Sequence, residues 1–153
     1  MNYWLMKSEP DVFGIADLKS RPRQTEHWDG VRNYQARNFL RAMQSGDEAF
    51  FYHSSCAEPG VAGIVRIVRA AYPDPSALDP KSPFYDARST PEIPVWFMVD
   101  VKLVREMKRL IPLSELKTNA ALKNMRLVQR GNRLSVMPVA AREWNAILKL
   151  EKD

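Results

Sequence analysis

Three short stretches of the chain combine flat aromatic side chains with small polar groups: Lys7-Ser8-Glu9, Trp28-Asp29-Gly30-Val31-Arg32-Asn33-Tyr34 and Tyr52-His53-Ser54. Brought together, they would form a slot with a π-stacking wall from Trp28 or Tyr52 and hydrogen-bonding groups around the edge of a planar heterocycle. A base lifted out of a nucleic-acid stack is held in that way. Taken singly, Trp28 and Tyr52 also read as core aromatics, the role assigned to Trp4, Trp96 and Trp144. Catalysis asks for other combinations. Cys56 follows His53 by three residues, but a thiol and an imidazole that act together normally come from separate elements and need a third group to orient them. Glu26 and Asp29 would suit acid/base work, yet Asp29-Gly30 is first of all a turn sequence. An enzyme acting on a modified base or small metabolite would draw on Glu9, His53 or Asp29.

Several classes lack their minimum parts. With one cysteine and two histidines, the chain has no internal disulfide, no paired-cysteine zinc site and no His-Glu-x-x-His motif. Gly60 and Gly63 are the nearest glycine pair, and neither a P-loop nor a dinucleotide fingerprint is present. No metal and no cofactor are expected. Met1 to Asp11 carry Lys7, Glu9 and Asp11 around a short apolar run, which makes neither a signal peptide nor a membrane span.

At 153 residues with 45% apolar content, one globular domain over 1–153 is expected. The formal charge of +5 is unevenly spread. Residues 1–72 sum to +1, 73–100 to −3, and 101–153 to +7, with 12 Lys/Arg against 5 Asp/Glu in that last part. Such an excess suits a phosphate backbone, and equally a solvated face. The candidate backbone contacts are Arg37, Lys108, Arg109, Lys123, Arg126, Arg130 and Arg133.

The elements that must position these groups follow from periodicity. Tyr3 to Ser8 reads as a strand stopped by Pro10, and 15–18 as a helical turn after Gly14. Asn33 caps a helix whose apolar stripe is Ala36, Phe39, Leu40 and Met43, with Gly46 closing it in the C′ manner and Arg37 and Arg41 on its outer face. Residues 49–52 form a strand that delivers His53-Ser54, and 60–72 a strand that bends or bulges at Gly63. Six of the eleven prolines fall in 73–94, an irregular excursion in which Phe84 and Tyr85 want burial. Residues 95–103 alternate as a half-buried antiparallel strand. Helix starts at 112–116, short strands at 127–128 and 134–136, and an amphipathic helix at 140–150 burying Trp144, Ile147 and Leu148 complete the reading. The fold class is α+β: five to six mostly antiparallel strands, curled, with inserted short helices.

The segments Trp4-Leu5-Met6-Lys7-Ser8-Glu9-Pro10, Trp28 to Asn38 and Phe51-Tyr52-His53-Ser54, followed by Gly60-Val61-Ala62-Gly63, Ala71-Tyr72-Pro73-Asp74, Met98-Val99-Asp100-Val101 and Ile111-Pro112-Leu113, resemble the EVE domain over nearly the whole chain. The resemblance implies a PUA-like pseudobarrel related to the YTH domain, and a non-catalytic reader of a modified base, either modified cytosine in DNA or a modified base in RNA. It implies a pocket lined from the three opening stretches: Lys7, Ser8, Glu9, Trp28, Gly30, Val31, Arg32, Asn33, Tyr52, His53 and Ser54. Residue chemistry then suggests that Trp28 walls the base, that Ser8, Asn33 and Ser54 hydrogen-bond to it, and that Arg32 and Lys7 meet phosphate or a base edge. With no long basic tail, a stand-alone cytoplasmic protein is expected, or a nuclear one in a eukaryote. The alternatives are a small-ligand or protein-interaction domain and an enzyme acting on a modified base.

Overall fold

Tyr3–Ser8 (β1) alternates its side chains between two apolar layers, with Trp4 and Met6 on one face and Leu5 on the other. That alternation organises the whole molecule, a computed structural model that describes residues 1–152. The remaining strands are β2 (Thr25–Trp28), β3 (Glu48–His53), β4 (Gly60–Pro73), β5 (Phe97–Pro112) and β6 (Val136–Val139). They form one mixed six-stranded sheet in the order β2-β5-β4-β3-β1-β6. Among the described residues, only β1 and β3 run parallel.

β3 repeats the alternation: Ala49 and Phe51 face the layer of Trp4, Phe50 and Tyr52 the layer of Leu5. The first layer is covered by α2 (Ile15–Ser20) through Leu18 and by α3 (Tyr34–Ala42) through Ala36 and Leu40. The second is covered by α4 (Leu113–Thr118) through Leu116 and by α5 (Ala141–Leu150) through Trp144 and Ile147. Phe50 lies stacked on Trp144 at 3.9 Å. Trp28 at one sheet edge and Val136 at the other belong to the same apolar layer, so the sheet curls around it. This is the expected α+β pseudobarrel arrangement.

Local chemistry explains the boundaries. Pro10 opens α1 (Pro10–Phe13), where its missing N–H costs nothing. The Asn33 side chain accepts the Ala36 N–H at 2.9 Å and caps α3 as expected. Between β3 and β4 the register slips by one residue, Phe51 facing Gly63 but Tyr52 facing Val61. The bulge thus falls at the glycine stretch, where a Cβ on Gly63 would sit 2.7 Å from Ile15 Cδ1.

Five sequence expectations are corrected. β2 is a strand in a polar stretch where none was expected, because an edge strand with one buried residue shows no alternation. Val95 and Trp96 precede β5, which continues to Pro112 past bulges that break the period. Residues 126–128 form a 3₁₀ turn and the last strand starts at Val136. Gly46, at φ +97°, serves a turn four residues beyond the end of α3 instead of its C′ position. Phe84 and Tyr85 are exposed, not buried.

Candidate nucleic-acid interface

Where β1 ends, the curled sheet leaves a cavity of about 470 Å³ between its two edges. Lys7 and Ser8 enter it from β1, Glu9 from the N-cap of α1, Val12 and Phe13 from α1, Glu26, His27 and Trp28 from β2, and Asp29, Gly30, Val31 and Arg32 from the following loop. Phe84 and Ser135 close the sides.

Trp28 is both core and wall. It is 7% exposed, with Phe51 edge-on at 5.4 Å and Phe13 edge-on at 6.5 Å, so its orientation is fixed by packing. Phe84 comes from the proline-rich segment, which is tied down by a buried carboxylate. Asp74 accepts the Gly30 N–H at 2.9 Å, Arg32 Nη1 at 3.1 Å, and both the N–H and the hydroxyl of Ser76. Burial alone would raise its pKa, but the bonds from Ser76, Gly30 and Arg32 outweigh this and hold it below the ordinary aspartate value. Arg32 Nε in turn donates to the Phe84 carbonyl at 3.0 Å. Gly30, at φ +78°, lies under the Phe84 ring, where a Cβ would come within 2.8 Å of Cζ. Glycine is therefore required there twice over, by conformation and by contact.

Around this apolar wall sits a polar edge. The Ser8 hydroxyl donates to the Phe13 carbonyl at 2.6 Å, leaving its oxygen lone pairs for a ligand. Glu26 has its pKa lowered despite some burial, through Arg21 and His27. Asp29 shows the opposite behaviour: partial burial, and then the nearby Asp74 charge, raise its pKa. A carboxyl group whose pKa is higher folded than unfolded binds its proton more readily in the native state. It therefore costs stability above its folded pKa and nothing below its unfolded one. Asp29→Asn should accordingly raise the melting temperature at pH 7, and the gain should vanish as pH falls through the window just above the ordinary aspartate pKa. A melting temperature lowered at pH 7 would show instead that Asp29 makes net stabilising contacts.

Not every expected pocket residue reaches this cavity. Asn33 uses its side chain as the helix cap. Tyr52 points to the other face of the sheet, because it is one residue out of phase with Phe51, and lines a different cavity. The Nε2 atom of His53 accepts the Ile15 N–H at 3.1 Å, and burial lowers its pKa, so the ring is a neutral structural acceptor. Ser54 bonds through its backbone N–H to the Ser8 carbonyl. Arg32 lines the cavity, but its guanidinium is engaged with Phe84, Val31, Asp74 and Ser76, so it braces the wall instead of meeting phosphate.

Two of the backbone candidates are committed internally. Arg109 forms a bidentate pair with Glu115 and donates to the Leu150 carbonyl. Arg37, expected on the outer face of α3, instead bonds to the Val95 carbonyl and lies 4.9 Å from the Tyr34 ring centroid. Arg126 stacks over Phe39. Lys108 and Arg133 are exposed, and Lys123 and Arg130 line the cavity that also receives Tyr52.

The family model of the EVE domain matches residues 2–150. The chain belongs to the EVE domain family. Human thymocyte nuclear protein 1 is 52% identical over 168 residues, covering 99% of this chain and 74% of that protein. A crystal structure of human THYN1 in complex with 5-methylcytosine containing DNA superimposes with a TM-score of 0.95 at 52% identity, covering 100% of this chain and 99% of that one. A crystal structure of a Pseudomonas putida protein gives 0.94 at 56% identity, covering 97% and 99% respectively. Among the described residues of this EVE domain, no helix is long and apolar enough to cross a membrane, and no group of three or more His, Cys, Asp or Glu is placed to hold a metal ion.

Sequence reasoning missed Val12, Phe13, Glu26, His27, Asp29, Phe84 and Ser135 as lining residues. For Phe84 a signal existed: an aromatic inside a proline-rich excursion too long to be a plain connection.

Proposed function

We propose that this EVE domain is a reader of modified cytosine in DNA and that the cavity beside Trp28 receives one 5-methylcytosine turned out of the duplex. The reading rests on the coincidence of the cavity's chemistry with the DNA bound by THYN1, a relative of nearly the same fold and half the same sequence. The cavity's volume, about 470 Å³, falls in the range of small-molecule sites, roughly 300–1,000 Å³. Cytosine offers an amino donor beside two acceptors on its pairing edge. Glu9, Glu26 and Asp29 can accept from the amino group, while Lys7 can donate to the acceptors. Val12, Phe13, Val31 and Phe84 supply apolar surface for a methyl group.

Burial of one methyl is worth about 0.8 kcal/mol, or roughly a fourfold preference. Fluorescence anisotropy with two duplexes identical except for that methyl should show a preference of this size or greater, with the same base in RNA as a parallel arm. Equal affinity for the methylated and plain duplexes would count against the reading.

A further inference from the structure

On the opposite face of the sheet lies a second cavity, about 610 Å³ in volume, lined by Lys7, Tyr52, Lys117, Lys123 and Arg130 among others. Lys7 is the residue it shares with the base cavity. No Asp or Glu lines it, and among the described residues none of its four cations lies within 4 Å of a carboxylate. The convergence of four uncompensated positive charges on one concavity favours an anion.

A second observation points the same way. Tyr52 is 2% exposed, lines this cavity, and has no hydrogen bond from its hydroxyl among the described residues. The hydroxyl oxygen opens to the cavity, where it is free to donate to an anionic oxygen. Lys7 Nζ stands 5.9 Å from the centre of the same ring. Arg130 is carried on a tight turn in which Gly131 takes φ +79° and the Asn132 N–H closes back on the Gln129 carbonyl at 3.2 Å.

We propose that this second cavity is a phosphate site, which seats a backbone phosphate of the DNA strand whose base enters the first cavity, with Lys7 placed between the two. The proposal rests on the base-reading function above. Lys7 then couples the two halves of recognition, since the ammonium that faces the base also faces the phosphate chamber. Tyr52, Lys123 and Arg130 recognise charge and carry no information about methylation.

The test uses the full-length protein and three proteins in parallel: wild type, Tyr52→Phe, and the double variant Lys123→Gln/Arg130→Gln, whose side chains are both exposed. The double variant should bind methylated and plain duplex at least tenfold more weakly at low salt. The slope of log affinity against log salt should flatten by roughly 1 to 2, and the ratio between the two duplexes should stay unchanged. Tyr52→Phe should weaken both several-fold at the same ratio. A duplex carrying one uncharged methylphosphonate, walked along the modified strand, should weaken wild type at one position near the modified base and cost the double variant nothing further there.

If the double variant keeps the wild-type slope, affinity and methylphosphonate profile while methylation is still preferred, the phosphate site is overturned and the base reading stands. If wild type shows no preference for methylation while the slopes still differ, the base reading fails and the cavity is retained as a backbone contact. Titration with inorganic phosphate followed through the amide signals of Arg130 and Gly131, positive where the methylphosphonate walk is flat, would assign the cavity to a free anion and overturn the backbone proposal.

Discussion

Asp74→Ala should lower the stability of the protein by about 3 kcal/mol, a shift of the melting temperature on the order of 10 °C for a domain of this size. The carboxylate is the junction of two segments. It accepts from Gly30 in the loop before α3, from Arg32 in the same loop, and from Ser76 in the proline-rich excursion. Deleting it strands a half-buried guanidinium and two backbone N–H groups that the rest of the fold keeps from water. Asp74→Asn keeps one acceptor oxygen and should lose roughly half as much. Because the folded pKa of Asp74 lies below the ordinary value, its contribution is complete above the unfolded pKa and disappears as pH falls toward the folded one. The alanine variant should accordingly lose less stability than wild type between neutral and acid pH. Chemical denaturation across that range measures both effects. The variant should also lose methylation preference, since Arg32 and Gly30 would no longer hold Phe84 against the cavity. Unaltered stability would mean that the segment is held chiefly by Trp96, which donates its indole N–H to Asp86 at 2.8 Å.

That junction illustrates what the amino-acid order reveals and what it hides. The strands β1, β3 and β4, the Asn33 cap and the final helix were legible because each carries a local signature: a period of two, a capping side chain, a stripe at 3.6. β2 was not, since Thr25, Glu26 and His27 are partly or fully exposed and pair with β5 alone, so no alternation marks them. The same limit applies to the site. Lys7, Ser8, Glu9 and Trp28 share one cavity as expected, because all sit at strand ends where the chain turns. Tyr52 did not join them, because a strand sends neighbouring residues to opposite faces and the phase of β3 relative to β1 is set by long-range pairing. Arg32 and Arg109 looked like phosphate ligands by charge alone, and their partners Asp74 and Glu115 become visible only once the chain is folded. Charge in a sequence counts potential contacts, and the fold decides which of them remain free.

Trp28→Ala is expected to remove methylation preference altogether, and the indole's double role dictates how that result must be obtained. Its ring sits in the apolar layer with Phe51 and Phe13, so truncation leaves a cavity and should cost about 3–5 kcal/mol of stability. A loss of binding in that variant alone would therefore be ambiguous between a missing stacking surface and a loosened fold. Trp28→Leu separates the two, because it restores much of the buried volume but offers no π face. Base stacking on an aromatic is worth about 1–3 kcal/mol, or roughly 5- to 150-fold in affinity. The leucine protein, confirmed folded by its melting curve, should lose that factor for the methylated duplex and fall to the affinity of plain DNA, with its salt dependence retained. Trp28→Phe, which keeps a ring, should lie between the two. The order wild type, phenylalanine, leucine in preference, set against similar salt slopes for all three, is the signature of a wall that reads a base while charges elsewhere hold the backbone. A leucine variant that still prefers methylated DNA would move recognition away from Trp28, and Phe84 would be the next aromatic to replace.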